Sequence, residues 1–393
     1  MSHDRIYMDY AAATPLDERV LETMFPYWAD QFANAGSIHR EGVTAHNAIE
    51  KARSDVARLL GVRHDTCVFT SGGTESNQLA VLGTIRRLSQ QGRAYEDMHI
   101  VTTPFEHSSV RACMHALETQ GVRVSYVPVD AQGFVRPHTL QETLTPNTVL
   151  VSLIYAHNEI GTIQDLPRLT KLIRAMAPDA YVHTDATQAP AWLPVHMPTL
   201  GVDLLTLDAH KFYGPKGVGC LIDQRGTLAP LCVTADANAP VRPGTPATPL
   251  IVGFAHALAL VYDERDEYTP KIHAMRDRMI ERILDALPTA ILNGPTGAKR
   301  LANNVHISIP QTESEELVLT LDTLGVACSS RSACLMSAQP GSHTLYALEA
   351  NVERAASGVR LTLGRQSTEN ECAQVVDRLT MCVKRLQAMH VHT

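Results

Sequence analysis

Apolar residues recur along the chain in two rhythms. Short β-branched and leucine-rich runs stand at residues 67–70, 100–102, 124–127, 149–154, 181–183, 204–207 and 219–222. Segments with helical spacing separate them. The clearest is 45–60, where Ala48, Ala52, Val56, Leu59 and Leu60 follow a helical repeat and Gly61 stops it. Upstream, residues 6–10 form a short apolar entry, broken by Ala11-Ala12-Ala13-Thr14-Pro15 before a helix around 17–25. Strands alternating with helices imply a mainly parallel α/β sheet covered by helices on both faces. Such sheets bind ligands at the loops off the carboxyl ends of their strands. Beyond residue 250 the pattern changes to a helix carrying 251–262, a strand at 303–309, a helix at 315–324, a strand at 359–363 and a closing helix at 371–386. This reads as a smaller α+β domain, made of 1–14 and 251–393, beside a large domain of 15–250.

The chain has 393 residues, 45% of them hydrophobic, and a net charge of −7. That is enough for a large core, and the charge gives no global pull toward nucleic acid or an acidic membrane surface. No apolar run approaches a membrane span, and MSHDRIYMDY lacks the apolar segment of a secretion signal. Eight cysteines show neither a CxxC pair nor a tetrahedral zinc spacing. Free thiols in a reducing cytoplasm are the expectation, with no direct nucleic-acid contact and no membrane.

Each strand-end motif has a plain reading and a chemical one. In 202–219, VDLLTLDAHKFYGPKGVG, Lys211 stands at the mouth of a buried strand. It is either a surface lysine or a desolvated amine able to form a Schiff base. Thr70-Ser71-Gly72-Gly73-Thr74-Glu75-Ser76 is either an ordinary glycine turn capped by Thr74 or a phosphate cradle at a helix start. It lacks the Gly-Lys-Ser/Thr of a nucleotide P-loop. His107, in Pro104–Ser109, is either structural or poised to stack on a planar ring and move protons. Asp185, in HTDATQ, needs a cationic or hydrogen-bonding partner, and a protonated pyridine nitrogen would serve. Four such motifs in succession at the ends of one sheet favour the chemical reading of each.

With those residues in view, the chain resembles the fold-type I pyridoxal-phosphate enzymes, and among them the NifS/IscS-type cysteine desulfurases, including the DndA kind. The matching stretches are MDYAAATP, FTSGGTESN, EHSSV, NEIG, HTDATQ, AHKFYGPKG, RPGT, SRSAC and VRLTLGR, spread over nearly the whole chain. The resemblance implies a seven-stranded large domain and pyridoxal 5'-phosphate bound covalently to Lys211. Asp185 then pairs the pyridine nitrogen, Gln188 bonds the ring oxygen, and His107 stacks on the ring. Gly73, Thr74 and His210 seat the phosphate. Thr245 reaches the phosphate of the partner subunit in a homodimer. Asn158 and Arg360 take the substrate carboxylate. Cys334 receives the sulfur of L-cysteine as a persulfide, L-alanine is released, and an acceptor protein takes the sulfur. Residues 330–343 are expected to be a mobile loop carrying Cys334, with Cys328 a structural neighbour.

The implied acceptor serves Fe–S assembly, tRNA thiolation or DNA phosphorothioation. A selenocysteine lyase or other β-eliminating lyase is the alternative within the fold, and a sulfur-carrier platform with little activity alone is another. Several departures bear on this. Asp208 stands where relatives carry a small hydroxyl residue, and is expected to face away from the phosphate or to be held by a cation or donor. Thr234–Pro240 replaces a Gly-rich stretch, His157 an asparagine and Arg331 a glycine. The tail after Leu386 is short.

Overall fold

The computed structural model describes residues 5–232, 240–330, 341–348 and 351–390. In chain order its first strands are β1 (Ile6–Tyr7), β2 (Cys67–Thr70), β3 (His99–Thr102), β4 (Arg123–Tyr126), β5 (Thr148–Ser152) and β6 (Tyr181–Asp185). They are followed by β7 (Leu204–Asp208), β8 (Gly219–Asp223), β9 (Ile291–Leu292), β10 (Asn304–Ser308), β11 (Val326–Ala327) and β12 (Gly358–Thr362). Strands β2 to β8 make one seven-stranded sheet in the order β2-β8-β7-β6-β5-β3-β4. Its pairings are parallel except those of β8, which runs antiparallel to both β2 and β7.

The sheet explains the continuous apolar runs. Strands β3, β5, β6, β7 and β8 are buried at every position, so both faces need apolar residues. Successive side chains point to opposite faces. Ile100, Leu150, Leu204 and Leu221 pack under helices Gly73–Gln90 and Ser108–Glu118 with Leu79, Ile85, Met114 and Leu117. Val101, Val151, Leu205 and Ile222, one residue further along, belong to the core on the other side. There the helices Arg40–Leu60 and Thr248–Ala286 pack on each other. Gly61 ends the first of these as expected, in the left-handed region at φ 71°, and a Cβ there would lie 2.3 Å from the His196 ring.

The C-terminal part adds an antiparallel sheet, β12-β10-β9, and a two-stranded parallel pair, β1-β11. The chain start is thus tied to the chain end: Ile6 pairs with Val326, and Asp9 bridges Thr362. The 39-residue helix Thr248–Ala286 packs on helices Glu18–Met24 and Arg40–Leu60 and also on Glu369–His390. No helix among the described residues is long and apolar enough to cross a membrane.

Candidate active site

Strands β6 and β7 run further than their apolar cores suggest, and their last residues are Asp185 and Asp208. Both carboxylates therefore leave the sheet at its carboxyl edge on neighbouring strands, Asp185 level with Thr206 and Asp208 further along β7. A short turn, Ala209–Lys211, follows β7 and brings Lys211 to the same edge. These residues line one pocket of about 230 Å³ together with Gly73, Thr74, His107, Asn158, Gln188 and His210. A surface groove near Arg282 and Lys384 is larger, about 690 Å³, but holds none of them.

Lys211 donates to the carbonyls of Ala11 at 2.9 Å and Ala12 at 2.7 Å. Burial pulls its ammonium down to about 8, against the partial opposition of Asp208. The same Ala11 carbonyl accepts from Gln188 Nε2 at 2.9 Å. The AAAT stretch thus closes one wall of the pocket through its backbone.

Asp185 accepts from the Thr187 N–H at 3.0 Å and from Asn77 Nδ2 at 2.7 Å. Asn77 Nδ2 also donates to Ser109 Oγ at 2.9 Å. Ser109 in turn meets His107 Nδ1, by its Oγ at 2.7 Å and its N–H at 3.3 Å. Because Nδ1 accepts from that N–H, the ring proton is assigned to Nε2. Burial lowers the His107 pKa, so the ring is neutral near pH 7. A buried relay therefore runs from Asp185 through Asn77 and Ser109 to His107.

At the other end of the pocket, Gly73 opens the helix Gly73–Gln90. Its N–H donates to Asp208 Oδ2 at 2.8 Å, and Asp208 Oδ1 lies 2.6 Å from His210 Nδ1. Asp208 is thus held by donors, as one of the two expectations had it, but it faces the cradle rather than turning away.

Arg360, on β12, is 3% exposed. Its Nη1 donates to the Asn158 carbonyl at 3.1 Å and its Nη2 to Asp9 Oδ1 at 2.8 Å. Its Nε is buried without a hydrogen-bond partner among the described residues. His157 sits outside the pocket: it stacks on Phe105 with ring centroids 4.3 Å apart and donates from Nε2 to the Phe105 carbonyl. Thr245 is exposed on the single chain and is not among the residues lining its own pocket. Cys334, with most of the expected 330–343 loop, Arg331 included, lies outside the described residues, as does most of the 234–240 stretch. Cys328 follows β11 and packs against the core, where burial pushes its thiol up to about 12.

Asn77, Ser109, Asp9 and the carbonyls of Ala11 and Ala12 join the site without a sequence signal of their own. Asn77 and Ser109 do lie inside quoted motifs, TESN and EHSSV, but only the fold shows what they touch. Among the described residues no group of His, Cys, Asp and Glu is arranged to hold a metal ion.

A parallel sheet with a desolvated lysine and a buried carboxylate on adjacent strand ends defines a class of enzyme before it defines a member. Residues 6–375 match the aminotransferase class-V family. The chain is 39% identical to the cysteine desulfurase IscS of Dictyoglomus turgidum, covering 98% of this chain and 96% of that one. Among solved structures, a NifS-like protein superposes with a TM-score of 0.89 at 30% identity, covering 97% of this chain and all (100%) of that one. The structure described as SspA in complex with cysteine gives 0.77 at 30% identity, covering 92% and 99%. The chain belongs to the aminotransferase class-V family, whose members depend on pyridoxal phosphate, and within it to the NifS/IscS-type cysteine desulfurases.

Proposed function

We propose that this chain binds pyridoxal 5'-phosphate on Lys211, converts L-cysteine to L-alanine, and leaves the sulfur as a persulfide on Cys334 for an acceptor protein. The observation that carries this is the pairing of Lys211 and Asp185 in one pocket, an amine lowered to about 8 beside a buried carboxylate. The donor set fits the cofactor. Asp185 would hold a pyridinium nitrogen, Gln188 Nε2 a ring oxygen, and the neutral His107 ring would lie against the pyridine. Gly73, Thr74 and His210 would take the phosphate, with Thr245 of the second subunit. Bound there, the cofactor supplies an aldehyde for the amine and a ring that accepts an electron pair from the substrate Cα.

The chain's own groups do the rest. Arg360 and Asn158 grip the substrate carboxylate, the guanidinium being held ready by Asp9. The Lys211 amine, free once substrate has displaced it, takes the proton from Cα, and His107 Nε2 stands as a second proton carrier. The Cys334 thiolate attacks the substrate sulfur; the S–Cβ bond breaks with its electron pair going to the carbon fragment, which takes a proton at Cβ and regains one at Cα from Lys211 to become alanine, leaving the persulfide on Cys334. The large and small units are taken as 15–250 and as 1–14 with 251–393. The pairing of β1 with β11 supports joining the chain start to the small unit. The free cysteines support a reducing cytoplasm.

The test is purified protein with L-cysteine and a thiol reductant. Alanine and sulfide should form in equal amounts, and Lys211→Ala protein should yield neither and lose borohydride-reducible cofactor. Equal release of pyruvate and sulfide in place of alanine would overturn the reading in favour of a β-eliminating lyase.

A further inference from the structure

The start of the 18-residue helix Gly73–Gln90 is the natural seat for an anion, because its first N–H groups are unpaired within the helix and carry its positive dipole end. In this chain the seat already holds one. Asp208 Oδ2 accepts the Gly73 N–H at 2.8 Å, while Oδ1 stays 2.6 Å from His210 Nδ1. The glycines make the approach possible: a Cβ on Gly72 or Gly73 would stand 3.3 or 3.2 Å from Oδ2. With its side chain 11% exposed, the carboxylate is poorly screened by water from a second anion beside it.

Resting on the cofactor reading above, we infer that Asp208 competes with the cofactor phosphate for the helix start. The phosphate gains the Gly73 N–H only as Asp208 gives it up and keeps its separate contact with His210. Once cofactor is bound, two anions share one cradle. The chain therefore discriminates less between the phosphorylated cofactor and its unphosphorylated form than the same pocket with a neutral side chain at 208.

The test uses full-length apoprotein of the parent, Asp208→Asn and Asp208→Ser. Each is titrated with pyridoxal 5'-phosphate and with pyridoxal, following the absorbance of the lysine-bound ring and the heat of binding. Asp208→Asn keeps the side-chain shape and removes only charge, so it serves if Asp208→Ser folds poorly. Both variants should bind pyridoxal 5'-phosphate about tenfold tighter or more, from loss of one like-charge contact. Pyridoxal affinity should change by less than about threefold, so the ratio of the two affinities widens. Unchanged or weaker binding of the phosphorylated form in both variants would overturn the inference. So would an equal shift for both ligands, which would place the effect at Lys211 instead. Failure of all three proteins to bind pyridoxal 5'-phosphate would overturn the cofactor reading and this inference with it. A normal parent with an unmoved ratio overturns this inference alone.

Discussion

At Lys211 the quantity that decides reactivity is desolvation. Water stabilises an ammonium and the pocket does not, so the pKa falls from 10.5 to about 8 although Asp208 and Asp185 pull the other way. The free amine is the nucleophile, and raising the pH through the pKa supplies it. Schiff-base formation between apoprotein and pyridoxal should rise about tenfold per pH unit and level off near 8. A rate still climbing toward the ordinary 10.5 would contradict the burial argument. Arg360 is a buried cation whose Nη2 pairs with Asp9 Oδ1 at 2.8 Å. Arg360→Ala should lower kcat/KM for cysteine by roughly 30-fold or more, the cost of leaving a desolvated carboxylate without its partner. Cofactor absorbance should be unchanged, and near-normal kinetics would remove Arg360 from the substrate site. Asp185, His107 and Lys211 were legible as candidates because each stands at the end of a short apolar run, and Gln188 through the family resemblance of HTDATQ. Asn77 was not, since its meaning comes from Asp185, 108 positions away. The wall over Lys211 was not either, because it is made of backbone carbonyls 200 positions upstream that no side-chain pattern announces.

At the scale of elements, the helix Gly73–Gln90 does two jobs. Its first N–H meets Asp208, and one turn on, buried Asn77 ties the end of β6 to the start of the helix Ser108–Glu118. Asn77→Ala removes two donors from buried acceptors and should lower the apoprotein's unfolding free energy by about 1–3 kcal/mol in urea. An unchanged midpoint and slope would show that the relay holds nothing together. The apolar runs located all seven strands of the main sheet, since strands buried on both faces leave a strong signal. Their ends were less legible. Asp185 and Asp208 continue the ladder although they are charged, because the edge of the pocket supplies donors for them. The two-residue strands β1 and β11 carry too little pattern to be read at all, and exist because their partner is there.

For the whole molecule, Leu21, Phe25, Trp28, Phe32 and Ile38 stand out, 47%, 68%, 57%, 77% and 98% exposed on the single chain. So many apolar side chains uncovered within one short stretch make the kind of surface that the proposed homodimer would need to bury. Sedimentation should give the mass of two chains, and Trp28→Glu combined with Phe32→Glu should shift it to one. A parent protein that sediments as a single chain would contradict the dimer, and with it the reach of Thr245 into the partner's pocket.

The reaction is defined by where the sulfur goes. Burial argues against Cys328 as the acceptor: with its thiol pushed up to about 12 it carries almost no thiolate at neutral pH. Mass spectrometry of the protein after one turnover of L-cysteine, without reductant, tests this most directly. One added sulfur should appear on Cys334, with alanine in equal amount, no added sulfur on Cys334→Ser protein, and a largely active Cys328→Ser protein. Added sulfur on Cys328, or alanine formed in full by Cys334→Ser protein, would contradict this.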